Sequence, residues 1–388
     1  LNLVTREILT GIPVIRAFSR EKHEEDRFED ANKVLTKTNL FVNRCMTFMM
    51  PSMMLIMNGI SVLIVYNGSY AVDAGNMQVG DMMAFIQYAM QIIMAFLMIT
   101  AMSIMLPRAN VAAMRIVEIL ETENSLKEPE APVHPSEEIK GTVEFAHVSF
   151  AYPDAGENVL TDISFKAEKG QTLAVIGSTG SGKSSLINLI PRFYDVIQGC
   201  VKVDGVDVRS MSQKELRDRL GYVPQKGVLF SGTIDSNIRY GKTDISEEQV
   251  KKAAMVAQAQ DFIEEKPHGY ESPVAQGGTN VSGGQKQRLS IARAVAKDPE
   301  IFIFDDSFSA LDFKTDKALR KALKEHTKNA TTIIVAQRIS TILNADQILV
   351  LDDGKMAGLG THRELMKNCE VYRQIAMSQL SEEELANE

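Results

Sequence analysis

The stretch that decides the fold is Thr172-Leu-Ala-Val-Ile-Gly-Ser-Thr-Gly-Ser-Gly-Lys-Ser184. Its first five residues form an apolar run that is typical of a buried strand. The next eight match the pattern Gly-x-x-x-x-Gly-Lys-Ser/Thr at every fixed position, and the helical pattern Ser185-Leu-Ile-Asn-Leu-Ile190 follows directly. Glycines allow such a loop to turn its backbone N–H groups toward phosphate oxygens, and the helix adds the positive end of its dipole. The order of strand, glycine-rich loop and helix therefore predicts a phosphate-binding loop.

The loop also predicts individual roles for its side chains. We expect Lys183 to reach the β- and γ-phosphates of a nucleotide and the Ser184 hydroxyl to bind Mg²⁺. A chance Gly/Ser-rich turn is the alternative, and the correctly placed strand and helix argue against it. The residues of the loop expected to bind nucleotide are Gly177, Ser178, Thr179, Gly180, Ser181, Gly182, Lys183, Ser184 and Ser185.

A second apolar run, Ile301-Phe-Ile-Phe304, ends in two carboxylates, Asp305 and Asp306. Strands of this kind present their last residues at the carboxyl edge of a parallel sheet, where ligands bind. Many strands end in a capping Asp, so this run alone is weak evidence for a metal site. Together with the phosphate loop it is strong evidence, and Asp305 is expected to hold Mg²⁺ through water. Because β-rich runs alternate with helical patterns, we predict an α/β domain with a largely parallel sheet.

The first part of the chain has a different composition. Between Cys45 and Pro107 there is no Lys or Arg, whereas residues 1–44 carry eight. Two membrane spans are predicted there, at about 46–72 and 82–106, each near the ~20 residues needed to cross ~30 Å of hydrocarbon. Positive residues lie beyond both far ends, so both flanks are expected in the cytoplasm. The helical patterns continue outside the spans and predict cytoplasmic extensions.

The predicted spans are rich in methionine and contain few polar residues. Fourteen of the 20 methionines lie between Met46 and Met105, where they either line an adaptable apolar cavity or fill helix and lipid contacts. Gln87 and Gln91 share a helical face and are expected to face other helices or a translocation path. Two spans enclose no pathway, so we expect further helices from a missing region or from a partner. The sequence starts at Leu1 rather than methionine and already in a helical pattern, so we expect it to be a fragment without its N-terminal portion.

Composition narrows the remaining possibilities. The chain has 42 Lys and Arg against 50 Asp and Glu, a net charge of -8, so no basic field is expected to hold nucleic acid. The three cysteines lack disulfide or zinc spacing and are expected to be reduced thiols. The predicted organisation is a membrane part at 1–120, a proline-containing acidic linker at 121–140, the α/β domain at 141–378 and an acidic tail at 379–388.

A second glycine-rich stretch, Val281-Ser-Gly-Gly-Gln285, precedes another helical pattern. With it the sequence resembles the ATP-binding cassette (ABC) family, whose signature is LSGGQ, with Val281 in place of leucine. The resemblance implies ATP and Mg²⁺ as cofactors and two cassettes paired head to tail. Each nucleotide then lies between one chain's phosphate loop and the other chain's signature. Ser282, Gly283, Gly284 and Gln285 are therefore expected to face the partner's ATP.

Other motifs of the family occur in the same order. Tyr152 resembles the aromatic residue that stacks on adenine, and Gln225 resembles the glutamine that contacts Mg²⁺ and the membrane domain. Ser309 and Asp312 bound a stretch that is similar to the loop crossing the dimer interface. The segment from Leu9 to Glu21 is similar to the last part of an exporter membrane domain with six helices per half, so the predicted spans would be the fifth and sixth. The resemblance implies a multi-pass protein of the plasma membrane with a cytoplasmic cassette.

Three positions depart from the family pattern. Asp306 stands where the family's general base is glutamate, Gln337 where a switch histidine is expected, and Gln276 where the loop before the signature usually has glutamate. The shorter carboxylate is retracted by ~1 Å, a displacement that can cost ~10²-fold in rate. A glutamine can donate a hydrogen bond but cannot carry a histidine's positive charge. Both catalytic departures are expected to weaken hydrolysis and spare binding.

The pairing of Asp306 with Gln337 resembles the degenerate subunit of heterodimeric exporters. It implies a second, different half-transporter that carries the catalytic glutamate and histidine. The leading hypothesis is thus an exporter subunit that couples ATP binding and hydrolysis to efflux of small amphipathic or hydrophobic compounds across the bilayer. A slow homodimeric exporter and a membrane-anchored regulatory ATPase remain open, as does neutral drift in a working site.

Overall fold

The computed structural model describes residues 1–136, 138–153 and 155–379. The chain divides into two units, Leu1–Glu123 and Asn124–Glu388, each of which has its own internal contacts. Apart from Gln379, the predicted acidic tail at 379–388 lies outside the described residues.

The first unit consists of helices α1 (Asn2–Ala17), α2 (Glu21–Asp73) and α3 (Val79–Glu121). The spans predicted at 46–72 and 82–106 lie inside α2 and α3, which are long and apolar enough to cross a membrane. At 1.5 Å per residue, the 53 residues of α2 extend ~80 Å, far beyond ~30 Å of hydrocarbon. Both helices therefore have the long extensions that the sequence predicts.

The approach of α2 to α3 depends on a glycine near their connecting turn. Gly68 is the buried residue of α2, and a Cβ built there would lie 2.9 Å from the Sδ of Met82. At the other side of the turn, Gln78 begins α3 with a capping box in which its backbone N–H donates to Asp81. A small residue at the contact and a capped helix start thus fix the hairpin.

The second unit is an α/β domain built on two main sheets. Its strands are β1 (Val143–Phe150), β2 (Leu160–Ala167), β3 (Thr172–Gly177), β4 (Gln198–Val203), β5 (Val206–Asp207), β6 (Leu220–Val223), β7 (Gly232–Thr233), β8 (Pro273–Val274), β9 (Ile301–Asp305), β10 (Thr331–Val335), β11 (Gln347–Asp352) and β12 (Lys355–Gly360). Its helices are α4 (Lys183–Asn188), α5 (Gln213–Asp218), α6 (Ile234–Ile238), α7 (Glu247–Val256), α8 (Gln260–Glu264), α9 (Gly283–Lys297), α10 (Phe313–His326), α11 (Ile339–Ile342), α12 (His362–Asn368) and α13 (Glu370–Met377). Short 3₁₀ turns occur at Arg239–Gly241, Gly269–Glu271 and Gln276–Gly278.

The larger sheet has the strand order β12-β11-β3-β10-β9-β6 and is parallel except for its edge strand β12. The smaller sheet, β2-β1-β4-β5, is antiparallel. Side chains alternate along β3: Leu173 and Val175 join the core beneath the smaller sheet, whereas Ala174 and Ile176 join a second core formed with α11, α12 and α13. Burial on both faces explains why these strands read as continuous apolar runs. The predicted largely parallel α/β fold is confirmed.

The parallel register places three strand ends at one edge of the larger sheet. Val335 at the end of β10 pairs with Asp305 at the end of β9, and also with Val175 near the end of β3. The phosphate loop follows β3, Asp306 follows β9 and Gln337 follows β10. Residues that are far apart in sequence therefore meet at this edge.

The segment predicted as a linker at 121–140 is divided between the two units. Helix α3 ends at Glu121, and residues from Asn124 onward belong to the second unit. Within that unit, Arg192 donates to the Lys127 carbonyl over 3.1 Å, and the Val133 N–H donates to the Ser210 carbonyl over 2.8 Å. Proline prevents this segment from forming its own helix, so its backbone groups find partners on the cassette surface instead.

Candidate functional site

The phosphate loop, residues 177–184, is shaped by glycines that cannot be replaced without a clash. A Cβ on Gly177 would lie 2.2 Å from the Leu351 carbonyl oxygen and 2.6 Å from the Ser181 hydroxyl. Gly182 caps α4 with a φ of 95°, which is in the left-handed region. These two positions let the chain leave the central strand and enter α4 within a single tight loop.

Lys183 lies inside the curve of this loop. Its Nζ donates to the carbonyl oxygens of Gly177 over 2.8 Å and Ser178 over 2.6 Å. Burial lowers the pKa of the Lys183 ammonium, and the nearby charges of Asp306 and Asp305 oppose that shift. The loop carbonyls thus hold a partly desolvated cation at the position where the motif predicts nucleotide phosphates.

Two residues are predicted to hold Mg²⁺ here, Ser184 of the phosphate loop directly and Asp305 of β9 through water, and their side chains are in contact. The Ser184 hydroxyl donates to Asp305 Oδ1 over 3.1 Å. Burial raises the pKa of Asp305, and the hydrogen bond from Ser184 opposes the shift. A hydroxyl and a carboxylate side by side fit the oxygen preference of Mg²⁺. Across the described part of the chain, no three His, Cys, Asp or Glu side chains are grouped to hold a metal, so phosphate oxygens and water would supply the other ligands.

Asp306 and Gln337, the two catalytic candidates, are hydrogen-bonded to each other. Gln337 Nε2 donates to Asp306 Oδ2 over 2.8 Å, and Gln225 Nε2 donates to the same oxygen over 3.3 Å. Two neutral amides therefore hold one carboxylate oxygen. Gln225, which the family resemblance relates to Mg²⁺, contacts the candidate base in this structure. Asp306 itself has a φ of 44°, a left-handed conformation that is uncommon outside glycine.

The surroundings of Asp306 shift its pKa in opposite directions. Burial raises the pKa of Asp306, whereas hydrogen bonds from Gln225 and Ser309 and the nearby charges of Lys183 and Arg338 oppose the shift. Arg338 lines a pocket of about 240 Å³ together with Asp306 and Gln337. No sequence motif includes this arginine, and its position directly after Gln337 is the signal that would have found it.

Tyr152 is tied to the helix that follows the phosphate loop. Its hydroxyl lies 2.9 Å from the Ser185 Oγ. Its ring packs edge-on against Phe150 and Tyr194, with ring centres 4.9 Å and 5.0 Å away. Tyr194 was missed by the sequence analysis because it belongs to no motif. Stacking of adenine on Tyr152 stays a prediction.

The signature residues form the beginning of helix α9. Ser282 Oγ accepts from the Gln285 N–H over 3.3 Å, and the Gln285 side chain accepts from the Ser282 N–H over 3.1 Å. This capping box aligns the helix start, and Gly283 has no atom within 4 Å of a Cβ built on it. Gly283 thereby leaves open space at the helix start for an approaching anion.

The signature lies beside the loop predicted to cross a dimer interface. A Cβ on Gly284 would be 3.4 Å from the Ala310 carbonyl oxygen. Ser309 Oγ donates to the Asp306 carbonyl over 3.0 Å, and Asp312 begins α10 by accepting from the Thr315 N–H over 3.0 Å. One short loop therefore connects the candidate base of this chain's site to the signature expected to complete the partner's site.

The structure thus brings the predicted residues into three groups. The first group consists of Lys183 and Ser184 in the phosphate loop together with Asp305. The second is a hydrogen-bonded cluster beside the loop, formed by Asp306, Gln225 and Gln337. The third is the start of α9 next to residues 309–312, formed by Ser282, Gly283, Gly284 and Gln285. Gln276 lies exposed in a 3₁₀ turn ahead of the signature.

Comparison with known families agrees with this arrangement. Residues 160–309 match the ABC transporter model, and residues 1–96 match the model of the ABC transporter transmembrane region. The chain belongs to the ABC transporter family. The family resemblance inferred from the motifs is confirmed, as is the fold class of membrane helices followed by an ATP-binding cassette.

Relatives of this ABC chain come from several bacteria. An uncharacterized ABC transporter ATP-binding protein of Mycobacterium tuberculosis is 45% identical over 382 residues, which cover 98% of this chain and 65% of the relative. YheI of Bacillus subtilis, a probable multidrug resistance ABC transporter ATP-binding/permease protein, is 36% identical, with coverage of 96% of this chain and 64% of the relative. The chain therefore spans just under two thirds of the length of these relatives.

A solved structure matches both parts of the ABC chain. A bacterial Atm1-family ABC exporter with ATP bound superimposes with a TM-score of 0.86 at 31% identity, covering 98% of this chain and 66% of the other. Together with the transmembrane family match, this supports the predicted localisation: the chain is part of a membrane protein, with its cassette in the cytoplasm.

Proposed function

We propose that this chain is one half of an ATP-driven exporter whose own ATP site binds nucleotide but hydrolyses it slowly. The match of residues 1–96 to the transmembrane region and the multidrug resistance description of YheI favour export. Helices α2 and α3, which are longer than a bilayer is thick, favour transport over simple anchoring, because an anchor needs no long rigid extension.

The hydrogen bond between Gln337 and Asp306 carries the proposal of slow hydrolysis. A general base must accept a proton from the attacking water, and a switch residue must face the developing charge on the phosphate. Here the two groups are engaged with each other over 2.8 Å, and the amide brings no charge. Asp306 is also one methylene shorter than glutamate, which keeps its carboxylate back from the water position.

Nucleotide binding does not depend on either departure. Lys183 lies in a complete phosphate loop, and Ser184 and Asp305 offer adjacent oxygens for Mg²⁺. When bound, Mg²⁺ would neutralise charge on the phosphates. The site is therefore suited to hold ATP for long periods.

The signature assigns the chain a second role. Ser282 to Gln285 keep the family pattern and an ordered capping box, so this chain can complete a productive site on a partner. We propose that the partner is a different half-transporter with a catalytic glutamate and histidine. Its site would then perform most of the turnover.

The proposed substrates are small amphipathic or hydrophobic compounds. Methionine side chains concentrated between Met46 and Met105 can adapt to ligands of different shape. Gln87 and Gln91 supply polar groups on one face of α3. YheI, a relative of similar organisation, carries a multidrug resistance description.

The proposal is tested by two substitutions in this one chain, assayed in the complex purified from its native membrane. Asp306→Asn removes the charge of the candidate base at the chain's own site and should lower ATPase activity less than about threefold. Gly284→Asp places a carboxylate where the partner's nucleotide phosphates must approach. It should lower activity a hundredfold or more, or ~2.7 kcal/mol of transition-state stabilisation.

The matched control is Asp218→Asn, an exposed side chain at the end of α5, which should leave activity unchanged. A slow homodimer requires its own Asp306 in both sites, so Asp306→Asn would then be as damaging as Gly284→Asp. That result, or purification of the chain with no second half-transporter, would refute the heterodimer. If neither substitution changed export of a fluorescent hydrophobic dye into inverted vesicles, transport itself would be refuted.

A further inference from the structure

Helix α9 carries the signature, and it also contacts the segment that carries Gln225. This segment, residues 224–230, follows β6, and Gln225 within it contacts the candidate base. Gln287, in the second turn of α9, is 2% exposed, and its Nε2 donates to the Pro224 carbonyl over 3.2 Å. That carbonyl belongs to the peptide bond that joins Pro224 to Gln225. Gln287 therefore holds the backbone from which the Gln225 side chain begins.

Further contacts fix the segment against the same helix. A Cβ on Gly227 would lie 2.9 Å from the Lys286 carbonyl oxygen, so the two backbones pack directly on each other. Farther along α9, Arg293 Nη1 donates to the Val228 carbonyl over 3.0 Å. Leu229 is buried in the apolar core to which α9 also contributes. Because close-packed contacts transmit displacement, the segment and the helix should move together.

Helix α9 thus connects two nucleotide positions. Its first residues, 282–285, are the signature proposed to face the partner's ATP, and Gln287 lies only ~3 Å further along the helix axis. Gln225 donates to Asp306 over 3.3 Å, a longer contact than the 2.8 Å hydrogen bond from Gln337. A hydrogen bond of that length is near its geometric limit, so a shift of roughly 0.3 Å strengthens or breaks it. Movement of the signature can therefore reach the candidate base.

We propose that Gln287 is a positioning residue that couples the two ATP sites. When the partner's nucleotide engages the signature, α9 carries the 224–230 segment with it and changes the contact between Gln225 and Asp306. The coupling rests on the proposed function, because the partner's nucleotide must lie on this chain's signature. The slowly hydrolysing site then senses whether the partner's site is occupied. By linkage, any effect on ATP affinity at one site is returned to the other to the same extent.

Amide hydrogen exchange of the complex purified from its native membrane tests the coupling. Lys183→Ala in this chain weakens ATP binding at its own site, so low concentrations of ATP with Mg²⁺ occupy mainly the partner's phosphate loop. We expect this ATP to slow exchange at least about threefold in residues 282–290 and also in 224–230. Adding Gln287→Met removes the amide donor and keeps the side-chain length. The slowing should then persist in 282–290 and fall below about 1.5-fold in 224–230.

Lys286→Met is the matched control, because Lys286 Nζ donates over 2.9 Å to the Gly277 carbonyl, which lies outside the segment. It breaks a neighbouring contact of the same helix and should leave the ATP-dependent slowing in 224–230 intact. A merely structural role of Gln287 would speed exchange to the same extent with and without ATP. That result, or full slowing of 224–230 in Gln287→Met, would overturn the coupling.

Gly284→Asp keeps the experiment decisive if Gln287→Met does not fold. Added to Lys183→Ala, it keeps the partner's nucleotide away from the signature, so slowing should be lost from both regions. Slowing that survives in 224–230 alone would overturn the role of α9. In the Lys183→Ala complex, slowing in 282–290 without slowing in 224–230 would refute the coupling only. Absence of slowing in 282–290 would refute the proposed partner site, and the coupling with it.

Discussion

Lengthening Asp306 by one methylene should restore hydrolysis at the chain's own ATP site. The increase in ATPase activity can be measured only when the partner's site is inactive, because that site is proposed to perform most of the turnover. Gly284→Asp in the same chain provides this background, because the signature is proposed to complete the partner's site. The substitution leaves the chain's own phosphate loop intact. The comparison therefore needs changes in one chain only.

The expected gain follows from the distances around the carboxylate. A further C–C bond of ~1.5 Å advances the carboxylate by ~1 Å, and placing a reacting group correctly over that distance is worth ~10²-fold, or ~2.7 kcal/mol. Asp306→Glu also breaks the 2.8 Å hydrogen bond from Gln337, at a cost of ~1 kcal/mol. The difference of ~1.7 kcal/mol predicts that Asp306→Glu raises residual activity roughly twentyfold.

Adding Gln337→His should raise the activity further, toward the full ~10²-fold, because histidine can bring a positive charge toward the phosphate. The assay is steady-state ATPase activity of the reconstituted complex, with photolabelling by an ATP analogue to show that binding is unchanged. Asp218→Glu makes the same chemical change on the exposed face of α5 and should have no effect. If Asp306→Glu leaves residual activity unchanged both with and without Gln337→His, carboxylate position does not limit this site and the reasoning is wrong.

Three further predictions concern binding, topology and stability. Lys183→Ala should lower ATP affinity at least tenfold, and undiminished photolabelling of this chain would contradict the phosphate-loop assignment. Asn76→Cys should react with an impermeant thiol reagent outside intact cells and Glu130→Cys should not; the reverse pattern would overturn the topology. Arg219→Ala removes the 3.1 Å ion pair to buried Asp204, at a cost of ~3–5 kcal/mol in chemical denaturation at neutral pH. Burial raises the pKa of Asp204, so the folded state loses stability as pH rises through that pKa and the carboxyl becomes charged. Without Arg219 that charge is unpaired, so the cost of Arg219→Ala should shrink toward pH ~4, where Asp204 becomes protonated. A cost that does not change with pH would indicate lost packing alone.

Much of the candidate nucleotide site was predictable because parallel strands bring its residues together at one edge of the sheet. The phosphate loop follows β3 and Asp305 ends β9, and strands of one parallel sheet bring their carboxyl ends to one edge. The contact between Ser184 and Asp305 is therefore a consequence of two short patterns in the sequence. The membrane helices were predictable for a similar reason, since composition alone separates them from the cassette.

Other features depend on conformations that no pattern encodes. The hydrogen bond from Gln337 to Asp306 joins residues 31 positions apart and depends on the left-handed backbone of Asp306. The contact between Tyr152 and Ser185 requires a side-chain direction that strand periodicity does not fix. Proline content predicted that no helix runs through residues 121–140, and helix α3 ends at Glu121. Proline content did not indicate that this segment bonds to the cassette, because its hydrogen-bond partners, Arg192 and Ser210, are more than 60 residues away in the sequence.

The pairing of the central strand sets the order in which a newly made chain can become active. Strand β3 carries the phosphate loop, yet its neighbours β10 and β11 begin at Thr331 and Gln347, more than 150 residues later in the sequence. A ribosome delivers the membrane helices first and the phosphate loop next, but that loop has no sheet to support it until Asp352 has emerged. Nucleotide binding therefore reports synthesis of the cassette through β11, and chains released before that point have membrane helices but no supported phosphate loop.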